Sequence, residues 1–107
     1  MILYGIPTCD TCRKAIFALR AAGREVTMRD VRAAPLSPEE IAGFLAVFGD
    51  KLVNRASTTW RALPEAERLR PAADLLAAHP ALMKRPLIVD AGRMTLGWDR
   101  AAQAEWL

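Results

Sequence analysis

The sequence is poor in metal-binding side chains: 107 residues contain one histidine and two cysteines. A structural zinc takes about four ligands, and His79 stands in a distant segment from Cys9 and Cys12, so no metal site is expected. No apolar run approaches the roughly 18 residues of a membrane span. The opening "MILYGIP" has neither a basic n-region nor a long apolar h-region, so no signal peptide is expected and the chain is assigned to the cytoplasm. A resting structural disulfide is unusual there. Charge of one sign is also scarce: fifteen Lys and Arg against twelve Asp and Glu give +3, spread along the chain. Such a field favours small oxyanions and is too weak and dispersed to imply nucleic acid. There is no internal repeat, low-complexity tract or linker, and the length suits one domain over residues 1–107.

What is present reads as alternating short elements. "MILY" is a buried strand stopped by Gly5 and Pro7. From Asp10 to Ala22, Cys12, Ala15, Ile16, Leu19 and Ala22 recur at helical spacing, and Gly23 supplies the stop. "EVTMRDV" alternates as a half-buried strand. Strand, helix and strand in about thirty residues make a right-handed crossover unit, so the first two strands should be parallel. In "LSPEEIAGFLAVFG", Ser37 caps, Pro38 opens and Gly49 closes a helix. "DKLVNRASTTWRAL" is irregular, and "PEAERLRPAADLLAAHPALM" holds two short helices broken near Pro71 and stopped before Pro80. "RPLIVDAGRMTLGW" is a hairpin turning at Asp90-Ala91-Gly92, and Asp99 caps a last helix. The fold expected is α/β: a four-stranded mixed sheet flanked by helices, with a helical insertion between a βαβ half and a ββα half.

Chemistry concentrates in "GIPTCDTCRKA". The two cysteines could be half a zinc site, a pair of small buried hydrophobes, or a nucleophile with a resolving thiol. Cys9 falls at the mouth of the first helix, where unpaired backbone N–H groups and the macrodipole favour an anion. A free thiol, with a pKa near 8.5, is only a few per cent ionised at neutral pH. Lowering it by about two units requires roughly 2.7 kcal/mol of preference for the thiolate. The helix terminus, with Arg13 and Lys14 one turn on, is suited to supply this, whereas Asp10 opposes it unless turned outward. Cys12 lies one turn deeper on the same face, within disulfide reach. A C-x-x-C in a βαβ context is a redox signal: Cys9 attacks and Cys12 can resolve.

"LYGIPTCDTCRKA", "AAGREVTMRDVR", "LVNRASTTWRAL", "HPALMKRPLIVD" and "LGWD", in that order, resemble the Spx/arsenate reductase family along nearly the whole chain. The likeness is nearest to its small bacterial reductase-like branch. The resemblance implies a thioredoxin-like fold. It implies that Cys9 is the nucleophile that attacks arsenate, with glutathione as co-substrate and glutaredoxin completing the reduction, and no bound cofactor. It places the oxyanion-holding arginines at Arg55 and Arg85, and a cis-proline facing the cysteine at Pro86. Thr8 and Thr11 would cap or line the cysteine loop, with Arg13 in support. A third oxyanion arginine of the glutaredoxin-coupled enzymes falls on Trp98 here, which weakens the case for arsenate itself. Cys12, absent from many relatives in that branch, resembles the redox switch of Spx, a regulator that binds the RNA polymerase alpha subunit.

Three functions follow. One is a cytoplasmic thiol oxidoreductase acting on a small oxyanion or a glutathione-linked thiol; another is a redox-sensing regulator that binds the polymerase alpha subunit. A thioredoxin-like binding module without turnover is a third. Neither direct nucleic-acid binding nor a membrane enters any of them. Trp60 and Trp106 are expected as core or helix-packing residues and not as ligand contacts, and His79 at a helix end.

Overall fold

The computed structural model describes residues 1–107. Its regular elements are β1 (Ile2–Gly5), α1 (Asp10–Ala21), β2 (Thr27–Asp30), α2 (Pro38–Phe48), α3 (Thr58–Ala62), α4 (Glu65–Arg68), α5 (Ala72–Ala78), β3 (Leu87–Asp90), β4 (Arg93–Leu96) and α6 (Arg100–Trp106), with 3-10 turns at Gly49–Leu52 and Pro80–Leu82. The chain divides into two compact units, one made of Met1–Val31 with Arg85–Leu107 and the other of Arg32–Lys84. No helix is long and apolar enough to cross a membrane.

The first unit holds one mixed sheet in the order β2-β1-β3-β4. β1 and β2 pair in parallel, as a crossover through α1 requires, while β1–β3 and β3–β4 are antiparallel. Register puts Leu3 opposite Ile88. Both are fully buried in one cluster with Cys12, Ala15 and Leu19 of α1 and Trp106 of α6. Cys12, Ala15 and Leu19 recur at helical spacing and form the buried stripe of α1, whereas Phe17 on the same helix is exposed. α1 ends where Gly23 adopts a positive φ of 81°. The β3–β4 loop is tighter than a three-residue turn: Asp90 pairs with Arg93, leaving Ala91 and Gly92, both at positive φ.

Trp106 anchors α6 through its side chain and its backbone. Its indole N–H donates to Thr95 Oγ1 at 2.7 Å, its carbonyl accepts from Arg24 Nε at 3.1 Å, and the Arg93 guanidinium lies over its ring. Asp99 accepts from the Ala102 N–H and caps the helix.

The second unit is the helical insertion. Ser37 and Glu40 form a reciprocal capping box at the start of α2. An isolated antiparallel bridge joins Val53 to Met83, flanked by Asn54 N–H donating to the Leu82 carbonyl and Lys84 N–H donating to the Leu52 carbonyl, each at 2.8 Å. The two helices around Pro71 are α4 and α5, and His79 closes α5 with its Nε2 at 3.1 Å from Glu67 Oε1.

Candidate active site

The site is built where β1 runs into α1. The turn Pro7-Thr8 brings the chain off the sheet, and Cys9 N–H donates to the Ile6 carbonyl at 3.0 Å. Cys9 is the N-cap of α1 with extended backbone angles, so its side chain stands at the helix terminus where donors are unsatisfied. Its sulfur makes no capping hydrogen bond of ordinary geometry, but the Cys12 N–H faces it. Both cysteines are free thiols, Cys9 half-buried and Cys12 fully buried.

Their acidities are driven apart. Burial pushes the Cys9 thiol up, but the Cys12 backbone N–H, the Cys12 thiol and the Arg85 guanidinium together outweigh it, and the net direction is down. Cys12 moves the other way, to about 11. Burial is the largest cause, joined by the neighbouring Cys9 sulfur, against smaller favourable effects of the Ile6 N–H and Arg85. The pair is thus set up with Cys9 as the more readily ionised sulfur and Cys12 as a thiol that donates to it.

Arg85 precedes Pro86 through a cis peptide bond. Its Nε is buried and meets no acceptor, while the guanidinium acts on Cys9 through a hydrogen bond and through its charge. Arg13, the cation adjacent in sequence, is turned to another task. Its Nε donates to the Pro7 carbonyl at 2.9 Å and its NH1 lies 3.7 Å from Asp10 Oδ1, so it holds the loop that carries Cys9. Asp10 is turned outward. Thr8 and Thr11 are exposed and line the loop without capping the helix. Trp98 is half-buried and packs on the cluster that includes Cys12, and Trp106 is core as expected.

Arg55 belongs to the second unit. There it donates to Asp50 (NH2 to Oδ1, 3.3 Å) and lies over the Trp60 ring at 5.1 Å, with Arg68 also over that ring at 5.8 Å. Trp60 is therefore a half-buried platform for two guanidinium groups and not a core residue.

The sequence marks Gly5 only as a strand stop. A Cβ there would lie 2.6 Å from the Cys12 sulfur, so the bare backbone of β1 is what allows that sulfur its position. The available signal was a glycine ending an apolar strand shortly before a cysteine. No group of three or more His, Cys, Asp or Glu is placed to share a metal ion.

The chain as a whole is similar to known proteins. The sequence model of the ArsC family matches residues 4–105. The global transcriptional regulator Spx of Bacillus subtilis is 30% identical over 91% of this chain and 79% of its own. Among solved structures, the YffB (PA3664) protein superposes with a TM-score of 0.90 at 33% identity, covering 99% of this chain and 97% of that one. An arsenate reductase (ArsC) related protein from Brucella melitensis does so with a TM-score of 0.76 at 34% identity, covering 98% and 92%. With its thioredoxin-like sheet, its helical insertion and a match over nearly its full length, the chain belongs to the ArsC family.

Proposed function

We propose that the protein is a cytoplasmic thiol oxidoreductase of the arsenate reductase type, with Cys9 as nucleophile. The observation that carries this is the disposition of three groups: a half-buried Cys9 with lowered pKa, an Arg85 guanidinium acting on it, and a protonated Cys12 behind it. A thiolate beside a guanidinium is what attack on an oxyanion needs, since the arginine fork both holds the tetrahedral anion and stabilises the sulfur. Arg55 is assigned the same oxyanion role by resemblance alone, and Arg55→Ala tests it separately.

With arsenate, the Cys9 thiolate attacks arsenic; a sulfur–arsenic bond forms and water leaves after protonation of an arsenate oxygen. A glutathione thiolate then attacks the Cys9 sulfur. A disulfide forms, the electron pair of the broken bond stays on arsenic, and arsenic(V) departs as arsenite. A glutaredoxin thiolate attacks the glutathione sulfur of that mixed disulfide and returns Cys9 as the thiolate. By the other route Cys12, once it loses its proton, attacks the Cys9 sulfur, glutathione leaves as its thiolate, and the resulting Cys9–Cys12 disulfide is opened by two further reductant thiols. Capping Cys9 removes one of the causes that hold the Cys12 thiol at about 11, so the inner thiol becomes a better attacker only after the outer one has reacted. A glutathione-linked disulfide can replace arsenate in the first step.

A second reading rests on the likeness to Spx together with the C-x-x-C pair. In it, the two thiols sense oxidant, and the output is binding of the RNA polymerase alpha subunit. Turnover with arsenate and with a glutathione mixed disulfide, with and without glutathione and glutaredoxin, separates the two when run beside an alpha-subunit pull-down. Reductant consumption that Cys9→Ser abolishes supports the enzyme. Capture of the alpha subunit by oxidised protein, with no consumption in any mixture, overturns it.

A further inference from the structure

The exposed side of α1 carries an open groove of ≈ 560 Å³ lined by Arg13, Ile16, Phe17, Arg20 and Ala21. Phe17 is 78% exposed, an unusual setting for a phenylalanine on a helix otherwise well patterned. At 3.6 residues per turn, Cys9, Arg13, Ile16 and Arg20 fall within about 40° of one azimuth, roughly a right angle from the buried stripe. The groove therefore continues the face on which Cys9 stands. Ile16 and Cys9 are both half-buried on the same cluster, so apolar surface runs from the sulfur into the groove. Its charge has one sign. Arg13 keeps donors beyond those spent on Pro7 and Asp10, and Arg20 makes only a 3.5 Å contact with the Val26 carbonyl.

We infer that this groove docks an acidic segment with an apolar side chain, belonging to a partner protein that presents a sulfur to Cys9. Charge complementarity selects the partner: two guanidiniums flanking an exposed aromatic fit carboxylates flanking an apolar residue. The length fits as well. Arg20 lies about 16 Å along the axis from the helix mouth, a distance that about five extended residues span. A second copy of this chain would set Arg13 and Arg20 against their like. The inference rests on the reading of Cys9 as a reactive thiolate and adds a protein specificity to it.

The test uses two peptides, each carrying one cysteine as a mixed disulfide with thionitrobenzoate. One has aspartates and glutamates around a phenylalanine; in the other, lysines replace the acids. The Cys9 thiolate attacks the peptide sulfur, a new disulfide forms, and coloured thionitrobenzoate leaves with the electron pair of the broken bond. At low ionic strength the acidic peptide should react about tenfold faster or more, and the advantage should fall with added salt. Phe17→Glu and Arg20→Glu should each remove most of that advantage, while reaction with the neutral dipyridyl disulfide stays as in the parent. Binding of the acidic peptide with serine in place of cysteine, read by fluorescence anisotropy, reports docking without the thiol. A slow dipyridyl reaction alongside intact peptide binding would therefore count against the enzyme reading alone. Equal rates for both peptides overturn the inference, as does an advantage that survives both variants. So does Phe17-dependent binding to phosphatidylglycerol vesicles without peptide preference, or a dimer that Phe17→Glu dissolves.

Discussion

The mouth of α1 and the turn behind it hold the same functional group in opposite states. At the mouth, Cys9 meets a backbone N–H, the thiol of Cys12 and the Arg85 guanidinium, and its pKa falls despite partial burial. One turn deeper, Cys12 is sealed under β1 with Leu3 and Ile88, and burial pushes its pKa up to about 11. Residue type does not separate them. Depth does, together with one cation brought in from the far end of the chain, and the outcome is a sulfur that ionises more readily, backed by one that donates a hydrogen bond to it.

The largest expected consequence is selectivity of alkylation. A thiol with a pKa near 11 is ionised to about one part in ten thousand at pH 7. Iodoacetamide under native conditions should therefore label Cys9 at least about a hundredfold faster than Cys12, as peptide mapping would show, and comparable labelling would erase the contrast.

A second way to break it lies in β1. Gly5→Ala drives a methyl group into the Cys12 sulfur and should cost about 1–3 kcal/mol in urea unfolding. Adding Cys12→Ala should recover a good part of that loss, because the remaining Cys12 Cβ lies 3.4 Å from the new carbon. A double variant no more stable than Gly5→Ala alone would mean the sulfur is not what the glycine accommodates.

Alkaline pH sharpens the comparison further. Folding holds the Cys12 thiol above its unfolded value, so the unfolded chain releases that proton first. The contribution is complete below pH 9 and is lost as pH rises from 9 toward 11, on the order of 2 kcal/mol. Cys12→Ala should show a flatter decline of stability across that window; parallel curves would refute the assignment. Cys9 has the opposite sign: its folded pKa is depressed, so its contribution is present above the unfolded value and lost as pH falls through the folded one.

The smallest effect belongs to Arg85. Arg85→Gln should move the Cys9 pKa upward, read from the pH dependence of alkylation, and Arg85→Lys should move it less because the charge remains. No movement in either variant would leave the helix mouth as the whole cause.

Much of this frame was legible before any coordinates. The spacing of Cys12, Ala15 and Leu19, the Ser37 cap, the glycine stops and the parallel pairing of the first two strands follow from local rules, and the structure carries them all. Arg13 shows where local rules end. Adjacent in sequence to the cysteines, it holds the Pro7 carbonyl, while the guanidinium acting on Cys9 comes from Arg85, which only family resemblance had nominated. Trp60, expected as a core or helix-packing residue, carries two arginines over its ring, and Gly5 owes its importance to a sulfur in another element. Each of these depends on which parts of the chain meet, and periodicity does not record that.

Trp106 shares a core with Leu3 and Cys12 and must be in place before that core can close. On a ribosome, at about 5–20 residues per second, the stretch from Cys9 to Trp106 takes roughly 5–20 s to synthesise. During that interval the nascent chain carries both thiols with neither the shelter of one nor the activation of the other. Oxidant or electrophile present then meets two ordinary cysteines, and a disulfide made at that stage would precede the native fold.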